Sequence, residues 1–338
     1  MKIYIDSYVD VDYNAFYIKG LYDFFGRENV YFSNDYFREL GPNLNIRFVI
    51  IGLSGIVRYI IDPSDDTSID KTDYEWSDCY GKINFNSDKT LTLYRRKIVI
   101  MPPSFGIKVW SRYESLYYGL SNLMKEYNRV SDVKRFLSKY YKQSKQLPIE
   151  SYEPACASES YIYSINTLWN SDQWINNDAT VNHHRANFIK VCKTLSYLNF
   201  EGGFVYSTIR NMNPAFQDLM IDTSRVSKRT YIEKNKASVL VFNTPAWALC
   251  HGWKLGEYLA LGKAIISTPI INDLLVPLEH GKNIHIVSGE EGELRDAIEM
   301  IVGTPVYRKM LERNAREYYI NYLTPIKSIE WLINSRDA

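Results

Sequence analysis

The chain has 338 residues and a formal net charge of +1, with 46% hydrophobic and 23% charged residues. This composition is typical of a soluble globular protein, and the length favours two domains of roughly 150 residues each. The balanced charge provides no general attraction to nucleic acid or to a membrane, and no nucleic-acid-binding motif is present. Nucleic acid is therefore not an expected partner.

The four cysteines stand singly, without a C-x-x-C pair or a Cys/His cluster. This pattern predicts reduced thiols and no zinc site. The first residues (MKIYIDSYVD) lack an apolar run of signal-peptide length, and no segment approaches about 18 consecutive apolar residues. We expect a cytoplasmic protein that does not span a membrane. The 28 tyrosines reflect either codon bias or rings that line a sugar site.

Short apolar runs alternate with helical patterns along the first half, as expected of βα units and parallel sheets. The run 47–53 (RFVIIGL) predicts a strand buried on both faces. The predicted strands are 2–5, 30–32, 47–53, 57–61, 82–85 and 97–101, and the predicted helices are 14–25 and 110–145.

A composition break at 146–160 (QLPIESYEPACASES) separates two halves with the same pattern. It predicts an N-terminal domain over 1–150 and a C-terminal domain over 151–324. We expect residues 325–338 to form a last helix that crosses back to the first domain. The second half has predicted strands at 161–168, 204–207, 238–242, 264–268 and 284–287, and predicted helices at 185–198, 254–261, 293–301, 306–322 and 325–334.

The stretch Ala246–Pro269 (AWALCHGWKLGEYLALGKAIISTP) predicts a phosphate site. It follows a buried strand and forms a loop, a short helix and a second strand, and ligands of open α/β sheets bind at the carboxyl ends of such strands. Gly252 precedes a helical first turn whose N–H groups and dipole suit an anion. One turn on, the Glu257 carboxylate can accept hydrogen bonds from two adjacent ribose hydroxyls. An ordinary βαβ unit with a capped helix explains each piece separately.

The residues WKLGEYLALGKAIISTP resemble the C-terminal signature of retaining GT-B glycosyltransferases of the group 1/family 4 type, and 277–287 and 308–319 continue the likeness. The resemblance implies an α/β GT-B fold, with two Rossmann-like domains facing a central cleft. It also implies a nucleotide diphosphate sugar as donor, UDP- or GDP-linked, with no metal and no other cofactor. In that family the second glutamate of a Glu-x7-Glu motif holds the ribose and loop amides hold the diphosphate. Glu257 takes the ribose role by resemblance, and Gly252 falls at the loop glycine.

One position departs from this family pattern, because Leu249 stands where the first glutamate is expected. That glutamate usually engages the donor sugar, so the stereochemistry and the sugar both stay open. His251 and Trp253 flank the loop glycine and are candidates for some of the contacts, with a structural role as the alternative for the histidine. The predicted nucleotide-binding set is Gly252, Trp253, Lys254, Leu255, Glu257 and His251.

A diphosphate leaving group needs positive charge when no metal is bound. Arg185 and Lys190 match an Arg-x4-Lys spacing of the family, but in one predicted helix they lie about 140° apart, which argues against joint action. Arg210 and Lys254 are rival cations. We favour Lys254, because its backbone already lies beside the predicted phosphate site.

The first domain is expected to bind the acceptor and, in an inverting enzyme, to supply a base. It contains no histidine, so the base must be acidic. Asp10 and Asp12 follow the first strand, with helix capping as the alternative role. Asp78 lies in the aromatic stretch 75–84 (EWSDCYGKIN), which predicts either a sugar-binding surface or an ordinary edge strand.

The segment 124–147 carries seven basic and two acidic residues, interleaved with aromatic side chains. Such a segment either rests on anionic lipid at the inner face of the membrane, near a lipid-linked acceptor, or forms a solvated helix face.

Together these features predict a hexosyl-type glycosyltransferase that acts on a hydroxyl acceptor, glycan or lipid-linked, in bacterial-type surface polysaccharide synthesis. A nucleotide-sugar epimerase of GT-B architecture and a non-catalytic relative that binds a glycan or a partner are the alternatives. No G-x-G-x-x-G loop follows a predicted strand, which disfavours a dinucleotide-dependent dehydrogenase.

Overall fold

A computed structural model describes residues 1–53, 55–90, 92–168, 178–206, 214–221 and 226–336. The chain divides into two compact units. Unit 1 comprises Met1–Ile149, Asp273–Val276 and Asn321–Ala338, and unit 2 comprises Glu150–Asn272 and Pro277–Ile320. Both units combine strands with helices, so the predicted α/β class is confirmed.

The helices of the described chain are α1 (Ala15–Phe25), α2 (Lys71–Trp76), α3 (Arg112–Lys125), α4 (Val133–Lys145), α5 (Asp178–Thr194), α6 (Lys228–Ala237), α7 (Gly252–Ala260), α8 (Glu291–Gly303), α9 (Pro305–Tyr318) and α10 (Pro325–Asn334). The strands are β1 (Lys2–Asp6), β2 (Val30–Ser33), β3 (Ile46–Gly52), β4 (Gly55–Asp62), β5 (Cys79–Lys82), β6 (Ile98–Ile100), β7 (Tyr161–Leu168), β8 (Asn199–Tyr206), β9 (Val241–Asn243), β10 (Ile265–Ser267) and β11 (His285–Ile286).

Unit 1 is built on a six-stranded sheet in the order β2-β1-β3-β4-β5-β6. Strand β3 runs antiparallel to both of its neighbours, and all the other pairs are parallel. The expectation of parallel strands is therefore wrong at β3. Gly52 pairs with Gly55, so two residues join β3 to β4. So short a connection can only link antiparallel strands.

The aromatic stretch 75–84 also differs from both of its predicted forms. Strand β5, at its centre, lies between β4 and β6, and all four of its residues are buried. It is neither an edge strand nor an exposed sugar-binding surface. The preceding residues form α2, whose N-cap Asp70 accepts a hydrogen bond from the N–H of Asp73 (3.0 Å).

The single helix predicted over 110–145 is in fact two helices, α3 and α4. A capping box between Ser111 and Glu114 starts the first. The Asp132 side chain starts the second by accepting a hydrogen bond from the N–H of Arg135 (2.9 Å). These side-chain caps satisfy N–H groups that have no partner within the helix, and they fix where each helix begins.

The C-terminal helix α10 packs on α1 within unit 1. A Cβ atom added at Gly20 in α1 would lie 2.2 Å from the carbonyl oxygen of Pro325. Only glycine therefore allows this approach. Ile329 and Leu332 of α10 are fully buried.

Unit 2 contains two small parallel sheets, β11-β10-β9 and β7-β8. They adjoin just before β9, where the N–H of Val239 donates to the carbonyl of Tyr161 (2.8 Å). The resulting order is β8-β7-β9-β10-β11, which has its topological switch point between β7 and β9. The core beneath includes Phe188 of α5, whose ring stacks on Phe242 of β9 at 4.5 Å.

Candidate functional site

The loop from β9 to α7 makes an unusually tight turn at the carboxyl end of β9. Ala248 (φ 52°) and Leu249 (φ 62°) both adopt the left-handed conformation. This conformation costs a residue with a Cβ atom about 1–2 kcal/mol, so the surroundings must hold it in place. The N–H of Leu249 donates to Ala246 O (3.1 Å), and the N–H of Ala246 donates to Cys250 O (2.9 Å). The position that departs from the family pattern thus lies in a strained turn.

Helix α7 begins with a backbone geometry that suits an anion. His251 is right-handed (φ −60°, ψ −29°) and does not cap the helix with its side chain, and Gly252, which follows, is left-handed (φ 61°). A right-handed residue followed by a left-handed one turns successive N–H groups toward one point, as in anion-binding nests. The helix dipole adds to the attraction. His251 itself is buried.

Lys254, in the first turn of α7, reaches across to the carboxyl end of β7. Its ammonium donates to the carbonyl of Ile165 (2.6 Å) and to the side-chain oxygen of Asn166 (2.9 Å). Burial and, to a smaller extent, the positive charge of Arg185 together lower the pKa of Lys254 to about 7, and the negative charge of Glu257 opposes the shift. A half-buried lysine at the switch point can gain a proton when a negative charge arrives.

Arg185 extends from α5 to the same edge of the sheet. Its Nε donates to the hydroxyl of Thr244 (2.9 Å), and its two Nη atoms donate to the carbonyls of Thr167 and Pro245 (3.2 Å each). These contacts hold the guanidinium between the ends of β7 and β9. Arg185 is buried.

Of the other two predicted cations, Lys190 is not brought to this edge. Lys190 lies 3.8 Å from Glu291 at the start of α8, with half of its side chain exposed. Five positions along a helix place the two side chains on different faces, so Arg185 and Lys190 have different partners. Arg210 lies outside the described residues.

Glu257 is buried (2% exposed) in α7 and forms an ion pair with Lys228 of α6. Buried phenol rings lie around this carboxylate. Burial raises the pKa of Tyr152, Tyr231 and Tyr258, and the negative charge of Glu257 contributes to each rise. The phenols stay protonated near neutral pH, beside a charged acceptor.

Two buried polar atoms at the strand ends have no hydrogen-bond partner within the described chain. They are Oδ1 of Asn243, the last residue of β9, and Oγ1 of Thr268, which follows β10. The Nδ2 of Asn243 donates to the hydroxyl of Ser267 (3.0 Å), which fixes the orientation of the amide. Buried polar atoms are nearly always paired, so unpaired ones at a strand edge favour a ligand contact.

The remaining predicted donor residues differ in their placement. Leu255 is 1% exposed, so its side chain belongs to the core and only its backbone belongs to the helix start. Trp253 is half-buried in the first turn. Lys228 and Asn166 were not among the residues predicted from the sequence, and they lie 29 and 88 positions from the residues they contact. No local sequence pattern could have paired them.

In unit 1, Asp10 and Asp12 follow β1 at the carboxyl edge of the sheet. Asp10 lies 3.3 Å from the ammonium of Lys139 and accepts a hydrogen bond from the N–H of Tyr13 (3.2 Å). Asp12 accepts one from the side chain of Gln146 (3.0 Å). Burial raises the pKa of Asp12, and the charge of Asp10 adds to the rise against the opposing hydrogen bond.

Asp10 also lines a cavity of about 360 Å³. The rings of Tyr8 and Phe136 lie 6.0 Å apart in its lining. The lining carries two carboxylates and two cations, together with amide, hydroxyl and apolar groups: Tyr8, Asp10, Pro42, Asn43, Leu44, Ser131, Asp132, Arg135, Phe136 and Lys139. The formal charges of the lining cancel, which suits an uncharged hydroxyl-bearing ligand better than an ion.

Asp78 lies apart from the other two predicted acids. It is exposed and accepts a hydrogen bond from the N–H of Arg58 (2.9 Å). It precedes β5, so it stands at the amino end of the parallel strands, whereas Asp10 and Asp12 follow a strand. Opposite edges of one sheet do not form one site.

A buried ionic network at the carboxyl edge of the unit 1 sheet was not expected from the sequence. Arg47 lies 2.9 Å from Asp73 and 3.3 Å from Asp6, and Lys82 lies 3.0 Å from Asp62. All five side chains are buried. Each of these charges lies beside at least one charge of opposite sign, as buried ions require.

Among the described residues, no group of three or more His, Cys, Asp or Glu side chains could hold a metal ion. Within the same residues, no helix has the length and apolar character needed to cross a membrane.

No protein-family model and no curated protein sequence matches the chain. Solved structures do match. The C-terminal domain of the glycosyl transferase group 1 family protein LpcC from Francisella tularensis is 12% identical with a TM-score of 0.36, covering 51% of this chain and 96% of that one. A glycosyltransferase from Rickettsia africae ESF-5 is 12% identical with a TM-score of 0.42, covering 80% and 67%.

A third solved structure is that of Anabaena HepE in complex with UDP and glucose, which is 11% identical with a TM-score of 0.33 and covers 79% of each chain. Two of these three solved structures are named as glycosyltransferases, the class that the sequence resembles.

Proposed function

We propose that the chain is a glycosyltransferase that moves a hexosyl-type group from a nucleotide diphosphate sugar to a hydroxyl acceptor, with the donor bound by unit 2. The observation that carries the proposal is the convergence of the α7 start, Lys254 and Arg185 at the switch point between β7 and β9. This is where open α/β sheets bind nucleotides.

The diphosphate contacts the start of α7 in this proposal. The His251–Gly252 turn supplies backbone donors, and Lys254 and Arg185 supply positive charge. Negative charge develops on the departing nucleotide diphosphate, and fixed donors and cations placed there stabilise it in the transition state. The proposed reaction therefore requires no metal ion.

The nucleoside contacts Glu257 in this proposal. Lys228 holds the carboxylate in place and offsets the cost of burying its charge. A fixed carboxylate accepts hydrogen bonds from two neighbouring hydroxyls, and a ribose carries such a pair. The arrangement supports nucleotide recognition and leaves the sugar end undetermined, because Leu249 has no polar side chain.

The acceptor binds in the unit 1 cavity beside Asp10 in this proposal. Its two rings can cover the apolar face of a sugar, and its charged and amide side chains can bond hydroxyl groups. Asp12 is the favoured base near this cavity, because its pKa is raised toward neutral pH. A carboxylate with a higher pKa is a better proton acceptor. Such an acceptor fits a role in polysaccharide synthesis.

Calorimetry with UDP and GDP tests the donor site. We expect one of them to bind, and Glu257→Gln to weaken that binding by about ten- to a hundredfold, since hydrogen bonds to charged groups contribute about 1.5–3 kcal/mol. Lys190→Gln is the matched control and should bind as the parent does. Failure of both nucleotides to bind, or unchanged binding by Glu257→Gln, contradicts the proposal.

Turnover separates transfer from the two alternatives. A transferase releases nucleoside diphosphate from the matching nucleotide sugar at a rate that rises with added glycan or lipid-linked acceptor. An epimerase converts the donor without an acceptor, and a non-catalytic binding protein does neither. Either of the last two outcomes, in a chain that binds the nucleotide, overturns the transferase assignment and retains the nucleotide site.

A further inference from the structure

Helix α3 in unit 1 exposes its large apolar side chains. Five of them repeat at helical spacing and fall within an arc of about 100° of the helix surface. Their exposed fractions are 87% for Tyr113, 59% for Leu116, 67% for Tyr117, 45% for Leu120 and 72% for Met124. Isolated exposed apolar residues are ordinary, but a continuous stripe of five marks an interaction surface.

The inner face of the same helix is small and polar. Ser115, Gly119 and Asn122 are its buried residues. The amide of Asn122 donates to the Tyr140 hydroxyl of α4 (2.9 Å), and a Cβ atom at Gly119 would lie 3.2 Å from the ring of Tyr140. The close approach to α4 therefore uses small residues. The apolar stripe is not needed to hold α3 in place.

Basic side chains accompany the stripe on α3 and α4. Residues 112–145 contain eight basic and three acidic residues. Of the acids, Glu126 is buried, Glu114 pairs with Arg27 (2.6 Å) and Asp132 is exposed, so the exposed cations outnumber the unpaired exposed acid. The exposed cations are Arg112, Lys125, Lys134, Arg135, Lys142 and Lys145.

Helix α4 adds an aromatic ring and a lysine in direct contact. Tyr141 is 62% exposed, and the Lys145 ammonium lies 5.0 Å from the centre of its ring. Tyrosine and lysine suit the boundary between water and lipid, because each has an apolar body and a polar end.

We propose that the α3–α4 face docks on the surface of an anionic phospholipid membrane, with the apolar stripe inserted between headgroups and the surrounding cations bound to lipid phosphates. The exposed cations complement the negative charge of lipid phosphates, and this complementarity favours an anionic membrane as the partner of the α3–α4 face. Apolar insertion and attraction to anionic headgroups act together at such interfaces. The surface is wider than the segment 124–147 that the sequence indicated, since four of the five stripe residues precede that segment.

Co-sedimentation of the full chain with vesicles tests this proposal. The vesicles contain phosphatidylcholine alone or with about one quarter phosphatidylglycerol, an anionic lipid. We expect binding to the anionic vesicles that weakens as salt rises. The paired change Leu116→Glu and Leu120→Glu should lower the partition coefficient at least tenfold.

A second variant tests the charges separately. Changing Lys134, Lys142 and Lys145 together to Gln should lower binding to anionic vesicles by about a hundredfold. Val306→Glu is the matched control for the leucine change, because Val306 is 81% exposed on α9 of unit 2. It should bind as the parent does.

Three results overturn the proposal. They are no binding of the parent chain to anionic vesicles, equal binding by the stripe variant, and a dimer in light scattering that the leucine changes dissociate. The last result would assign the stripe to a second copy of the chain. Circular dichroism and the urea midpoint, measured alongside, report whether each variant is folded, and both are expected to stay unchanged.

Discussion

Affinity for a nucleoside diphosphate is expected to fall as the pH rises above 7, because Lys254 loses its proton in the ligand-free protein. Burial lowers the pKa of this lysine from its ordinary 10.5 to about 7, with Arg185 contributing. A diphosphate at the start of α7 places negative charge beside the ammonium and favours the protonated form. Binding then takes up a proton wherever the free site is deprotonated.

The magnitude follows from the two pKa values. If the ligand restores the ordinary value of 10.5, the apparent association constant falls about fivefold between pH 7 and 8 and about tenfold over the next pH unit. Between about pH 7 and 9 the loss is roughly fiftyfold, which is an upper limit because partial restoration gives a smaller slope. Below about pH 6.5 the free lysine is mostly protonated, and this contribution levels off.

Calorimetry over that pH range, in buffers of different ionisation enthalpy, measures both the affinity and the proton uptake. Lys254→Met should bind more weakly at pH 7 and lose most of the pH dependence. Lys263→Met is the matched control. Burial lowers the pKa of Lys263 to about 8, but its ammonium bonds the carbonyls of Lys236 and Ser238 rather than β7.

Two results would refute this reasoning. One is an affinity that stays level between about pH 7 and 9 in the parent chain. The other is a pH dependence that survives in Lys254→Met and disappears in Lys263→Met, which would assign the titration to the second lysine. The charged groups of Arg185, Glu257 and Lys228 also act on the Lys254 ammonium. They are the same in the parent chain and in both lysine variants.

Two glycine substitutions test the geometry of the units. Gly252→Ala places a Cβ atom at φ 61° and 2.9 Å from Ala246 Cβ, so we expect it to destabilise unit 2 by about 1–3 kcal/mol and to weaken nucleotide binding. Gly20→Ala brings a Cβ atom to 2.2 Å from Pro325 O and should lower the urea midpoint by detaching α10, without changing nucleotide affinity. Unchanged urea midpoints for both would contradict these contacts.

Two other glycines provide the controls. Gly281 has φ 74° but only the Tyr307 hydroxyl near its Cβ position, at 4.0 Å, so Gly281→Ala isolates the cost of the backbone conformation. Gly292 in α8 has no atom within 4 Å of that position, so Gly292→Ala should be neutral or slightly stabilising. If Gly281→Ala costs as much as Gly252→Ala, the clash with Ala246 contributes nothing.

Local patterns predicted most elements, because hydrophobic periodicity and helix-start residues act over short distances. The strand 161–168 and the helix 325–334 have the bounds expected from the sequence. The division of 110–145 into two helices is also encoded locally, by Ser111 and Asp132 as N-caps, although the periodic pattern concealed it. Helix α6 was missed, since its pattern is weakly amphipathic.

The direction of β3 and the position of β5 required the tertiary structure. A buried apolar run has the same composition in parallel and antiparallel strands, so the sequence RFVIIGL does not show the direction of β3 or which strands pair with it. The interior position of β5 depends on β6, which follows it in the chain and pairs along its far edge. Exposure of the α3 stripe is likewise a tertiary result, because the same periodicity predicts a face turned toward a core.

The sequence by itself determined the local part of the proposed nucleotide site. Gly252, Lys254 and Glu257 lie in one β-loop-α unit, where their spacing is fixed by helix geometry. Tertiary structure decided which distant groups join them. It brought Arg185 to the loop, paired Glu257 with Lys228 and left Lys190 elsewhere. Strand order and helix packing set these contacts, and neither is a property of residues close together in the chain.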